Sequence, residues 1–98
     1  MSELGIVVLK LGGLLSGVLY VYMWVVIISA LLSFVNPDPY NPIVQFLRRI
    51  TEPAYSVVRK TIRTNFNGID LAPLVIIIGL QVSMILLEFL FATLAKAL

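Results

Sequence analysis

The chain has 98 residues, of which 60% are hydrophobic and 12% charged, with a formal net charge of +2. Soluble domains average near 45–50% apolar and about 25% charged, and a chain this short exposes much of itself, so the apolar surface must meet lipid. With no cysteine and no histidine, the chain has no disulfides, thiol nucleophiles, imidazole bases or usual zinc and haem ligands.

Leu11 to Val35 carries no charge. At about 1.5 Å per helical residue, about 20 residues cross a hydrocarbon core of about 30 Å, so this run is long enough to span a membrane with some tilt. It is longer than a signal-peptide core, and no small-residue cleavage site follows it, so it is expected to be retained. Gly13 and Gly17 form a G-x-x-x-G pair, with Gly12 and Ser16 beside them. Glycines at this spacing let two helix backbones approach closely, which predicts a helix contact within the chain or between copies. Tyr20 and Trp24 follow on roughly the same face, away from the membrane edges where aromatic belts usually sit, and are expected to pack against the second span.

The connection, residues 36–70, holds most of the charge. Asn36-Pro37-Asp38-Pro39 leaves the first helix, because each proline disfavours helical geometry in the residue before it. Asn41-Pro42 reads as an N-cap and first helical residue. Beyond it Ile43, Phe46, Leu47 and Ile50 share one face, opposite Gln45, Arg48 and Arg49. Thr51-Glu52-Pro53 is expected to cap a second short helix, with Ala54, Tyr55, Val58 and Ile62 opposite Arg59, Lys60 and Arg63. Both helices are expected to lie in the membrane interface with their apolar sides down.

Asn67-Gly68 marks a turn. Asp70 then stands at an N-cap position with Pro73 in the first turn, and a second span is expected from Leu71 to about Lys96. Gln81 and Glu88 are seven apart and share a face. An intramembrane carboxylate is expensive; Glu88 can lie at the membrane edge, pair with Lys10, or line an ion pathway with Gln81.

The fold class expected is therefore an all-α membrane protein. Two transmembrane helices are joined by a loop with one or two short amphipathic interfacial helices, as a single module over residues 1–98. Five of the seven basic residues, Arg48, Arg49, Arg59, Lys60 and Arg63, lie in the connection. The positive-inside rule then puts the connection in the cytoplasm and both termini outside. Anionic lipid is the expected partner of these basic faces, and nucleic acid is not. No acidic pair has spacing for a metal site or acid–base work, no histidine activates a serine, and no phosphate loop is present. Enzymatic activity and a cofactor are accordingly not expected.

Three blocks together resemble the YggT family, called YlmG in Gram-positive bacteria. They are Tyr22-Met23-Trp24 through Ile28-Ser29-Ala30-Leu31-Leu32-Ser33-Phe34; Asn41-Pro42-Ile43, Phe46-Leu47, Thr51-Glu52-Pro53 and Arg59-Lys60; and Gly68-Ile69-Asp70-Leu71-Ala72-Pro73-Leu74. Phe34 stands where a tryptophan is usual, Ala72 where serine is frequent, and Val57 where the family often has proline. The resemblance implies an integral membrane protein of bacteria and plastids. Members are associated with osmotic tolerance and ion uptake, cell-division gene clusters, plastid nucleoid organisation and cytochrome complex assembly. Some relatives carry two such modules, which implies that this chain pairs with itself. Together these readings predict a scaffold or assembly factor of the bacterial inner membrane that recruits a membrane or cytoplasmic protein. Asn41, Pro42, Thr51, Glu52, Pro53, Gly68, Asp70 and Pro73 would fix its elbows. The competing expectations are an oligomeric ion pathway and a purely lipid-binding role.

Overall fold

The computed structural model describes residues 2–35, 38–63, 65–66 and 69–98. Three helices follow in chain order, α1 (Glu3–Val35), α2 (Pro42–Thr61) and α3 (Ala72–Ala97), with a two-residue antiparallel pairing before α3. Its strands are β1 (Asn65–Phe66) and β2 (Ile69–Asp70), in the register Asn65↔Asp70 and Phe66↔Ile69. The two residues between them, Asn67 and Gly68, lie outside the described residues, as do Asn36 and Pro37.

The helix α1 begins at a serine cap: Ser2 Oγ accepts the Gly5 N–H at 3.1 Å, satisfying one of the free donors of the first turn. Glu3 adds negative charge at the positive end of the helix dipole. At 33 residues, α1 is about 50 Å long, more than a hydrocarbon core requires. The 26 residues of α3 reach about 39 Å. Mean hydropathies of 2.2 for Glu3–Ser33 and 2.5 for Ala72–Ala97 make both helices apolar enough to cross a membrane. Only 22% and 6% of their most apolar stretches are buried within the chain. A soluble core helix would be mostly covered, so these faces are built for lipid. The hydroxyls that α3 carries into that setting bond back along the helix, Ser83 Oγ to the Gly79 carbonyl and Thr93 Oγ1 to the Phe89 carbonyl, each at 2.8 Å.

Asn41 caps α2, its Oδ1 accepting the Ile43 N–H at 2.9 Å, with Pro42 first in the helix. The approach to the cap is held by Asp38, whose Oδ1 accepts the Tyr40 N–H at 3.0 Å and whose carbonyl accepts the Asn41 N–H at 3.1 Å. From there α2 runs without a break through Pro53 to Thr61. This corrects the expectation of two short helices divided at Thr51. The Thr51 hydroxyl turns back to the Leu47 carbonyl at 2.8 Å instead of forward to cap a new helix, and its side chain is only 1% exposed. Pro53 removes one N–H from the ladder, yet the helix continues past it.

A second correction concerns the start of α3. Leu71, not Asp70, is its capping residue, since the Leu71 carbonyl accepts the Val75 N–H at 3.1 Å. Asp70 belongs to β2, where its backbone is paired with Asn65. Pro73 falls second in the helix, where its missing N–H is one of the unpaired first-turn donors anyway.

The chain divides into two compact units, one of residues 1–22 and 79–98 and the other of residues 23–78.

Candidate functional site

In the unit of residues 23–78, the centre of α2 packs on α1 through two hydroxyls. Ser29 Oγ and Thr51 Oγ1 lie 3.4 Å apart, both buried. A hydroxyl carries one hydrogen, and that of Thr51 is engaged by the Leu47 carbonyl, so Ser29 is the donor. Around them Val26 is fully buried, and Met23, Val44, Tyr55, Ala72 and Ile76 complete the core.

The face of α2 away from this core is charged. Arg48, Arg49, Lys60 and, just past the end of the helix, Arg63 are exposed. Arg59 is held more closely, its Nη1 3.3 Å from Glu52 Oε1 and its guanidinium 5.4 Å from the centre of the Tyr55 ring. The pair is half open to solvent, so its value is modest, but it fixes where Arg59 points. Arg59 and Lys60 also lie in the last turn of α2, where positive charge complements the free carbonyls. The expected apolar face divides: Leu47 turns partly inward, whereas Ile43 and Phe46 stay 69% and 57% exposed.

In the unit of residues 1–22 and 79–98, a different glycine makes the close approach. A Cβ on Gly12 would lie 2.5 Å from Phe91 Cβ and 2.7 Å from its Cγ, whereas one on Gly13 or Gly17 would meet nothing within 4 Å. The helix contact expected at Gly13 and Gly17 is therefore made within the chain by Gly12. Leu14, Val18 and Val21 line an open apolar groove together with Gly13 and Gly17. Tyr20 and Trp24 are about half exposed, at 51% and 47%. They share a face with Gly13 and Gly17 as the spacing predicts, but that face lies about a quarter turn round the helix from Gly12 and Ser16.

Beside Gly12, Ser16 Oγ donates to Glu88 Oε1 at 3.5 Å, a long contact. Leu9, Gly12, Gly13, Glu88 and Phe91 line a notch of about 240 Å³. Lys10, one candidate partner of Glu88, makes no ion pair with it; the ion pair among the described residues is Glu52–Arg59. Gln81 is exposed on α3. Gly68 lies outside the described residues.

Sequence comparison adds the family. An uncharacterised protein of Pseudomonas aeruginosa is 42% identical over 60 residues, a match covering 61% of this chain and 30% of that protein. The chain thus spans about a third of the length of the relative it matches. No solved structure matches it. The family model described as CCB3/YggT matches residues 8–91, nearly the whole of α1, α2 and α3 together, and the chain belongs to that family.

Proposed function

We propose that this membrane protein is a non-catalytic scaffold of the bacterial inner membrane. In this reading it crosses the bilayer twice, holds α2 along the cytoplasmic surface with both termini on the far side, and recruits other membrane or division proteins. The observation that carries it is the pinning of α2: its centre is fixed to α1 at Ser29 and Thr51 while Arg48, Arg49 and Lys60 remain exposed. A rigid basic platform of this kind suits recruitment, since complementary charge steers a partner and sets its register. The excess of arginine and lysine in the connection supports the orientation.

The test is in-membrane crosslinking with mass spectrometry on the full chain, compared with a variant reversing Arg48, Arg49, Arg59, Lys60 and Arg63. The reversal should abolish partner crosslinks while the protein still inserts. Unchanged crosslinks at normal insertion would reject the reading.

The Glu88 notch supports a second reading, an oligomeric ion pathway. Two spans cannot enclose a pore, so several copies would have to contribute Gln81 and Glu88 to a common axis. Ion flux in liposomes that is lost on Glu88→Ala would favour it; a well-folded oligomer with no flux would rule it out.

A further inference from the structure

The helix α2 has more apolar surface than the chain covers. At roughly 100° per residue, Val44, Thr51 and Tyr55 define the buried sector. A second apolar sector, about a third of a turn away, holds Ile43, Phe46, Ile50 and Val57. There Ile43 is 69%, Phe46 57% and Val57 65% exposed. In water this strip would be costly, at about 25 cal/mol for each Å² of apolar surface.

Three observations identify what covers it. The first is depth. The centre of α2 meets α1 at Ser29, six residues before the end of α1 at Val35, or about 9 Å along the axis. Ser29 lies inside the charge-free run of α1, and a helix docked this close to the end of an apolar span suits an interfacial helix, which sinks about 5–10 Å into the acyl boundary. The second is charge. Arg49 and Lys60 fall on the polar border of the strip, three turns apart, with Pro53 and Ser56 between them on the same side; no acidic residue shares that border. The third is how the basic residues divide. Arg48 and Arg59 fall on the opposite flank beside Glu52, and Arg59 is engaged by Glu52 and Tyr55.

We propose that α2 carries a binding strip for anionic phospholipid, in which Arg49 and Lys60 hold head-group phosphates while Ile43, Phe46, Ile50 and Val57 lie among the acyl chains. The proposal rests on α2 being a membrane-surface helix. Charge-assisted bonds to phosphate oxygens are the strong ones, and the long stems of Arg49 and Lys60 let their charges rise to head-group level while the backbone sits deeper.

The test uses purified full-length chain without protein partners, so its outcome is independent of recruitment. Native mass spectrometry measures retention of phosphatidylglycerol against phosphatidylcholine for two variants of equal net charge, Arg49→Gln/Lys60→Gln and Arg48→Gln/Arg59→Gln. The first pair should weaken phosphatidylglycerol binding about tenfold or more, and the second less than about threefold, since each interfacial charge contributes about 1 kcal/mol. In the unaltered chain, Lys60 should be protected from amine acylation in phosphatidylglycerol nanodiscs relative to phosphatidylcholine nanodiscs, with Lys96 as reference. Equal loss from both pairs, no loss from either, displacement by soluble glycerol phosphate, or absence of Lys60 protection would overturn the proposal.

Discussion

The two compact units bury different kinds of residue. In the unit of residues 1–22 and 79–98, the buried described residues are Gly5, Gly12, Ser16 and Ala95, all small. In the unit of residues 23–78 they include Met23, Val26, Val44, Tyr55 and Ile76, with Ser29 and Thr51 among them. The difference follows from the solvent. Lipid tails are as apolar as leucine, so two helices in lipid gain nothing by hiding large apolar side chains from it; they gain by bringing backbones together over small residues. Where a third helix packs against a span, there is enough protein to enclose bulky side chains and a polar pair.

Substitution at Gly12 should break this contrast most severely. Gly12→Leu must push the helices apart, because the first added carbon already lies 2.5 Å from Phe91 Cβ; the expected loss is on the order of 3 kcal/mol. Thermal unfolding in detergent followed by circular dichroism measures it. Gly13→Leu/Gly17→Leu, where an added Cβ meets nothing within 4 Å, should leave the midpoint unchanged but reduce crosslinking between copies if a second chain takes that face. Equal destabilisation at Gly12 and Gly13 would contradict the packing described.

The hydroxyl pair sharpens the comparison at an intermediate magnitude. A double-mutant cycle of Ser29→Ala and Thr51→Val should give a coupling of about 0.6 kcal/mol or less, because hydrogen bonds between membrane helices average about 0.6 kcal/mol and this one, at 3.4 Å, is long. Strict additivity would mean that the two hydroxyls share a cavity without interacting.

The smallest effect belongs to the surface of α2. Glu52→Gln removes the ion pair to Arg59, whose partners are 44% and 61% exposed for Arg59 and Glu52. Stability should fall by less than about 0.5 kcal/mol, and less again in high salt. A larger, salt-insensitive loss would place Glu52 in the packing of the helix.

Much of the architecture was legible beforehand. Charge-free runs located α1 and α3, and Asn41-Pro42 marked the start of α2, because a capping side chain and a first-turn proline act through neighbouring backbone alone. Two further local signals are present in the sequence. Ser2 ahead of Glu3 is a cap signal for α1. Asn67-Gly68 is the strongest short hairpin signal as well as a turn, and β1 and β2 pair on either side of it. The continuity of α2 through Thr51 is not legible locally, because a threonine two residues before a proline reads as a cap until the packing around it is known.

Composition and local pattern by themselves determined two spans, a basic amphipathic connection and the relative phase of residues along each helix. Only the tertiary structure decided that Gly12 rather than Gly13 meets Phe91, that α2 continues through Pro53, and that its apolar arc is half covered and half open. The reason is rotational: periodicity states which side chains share a face, but successive residues differ by about 100°, and lipid accepts any apolar face. Which face turns inward depends on the fit of neighbouring elements, and that information is not local to any stretch of the chain.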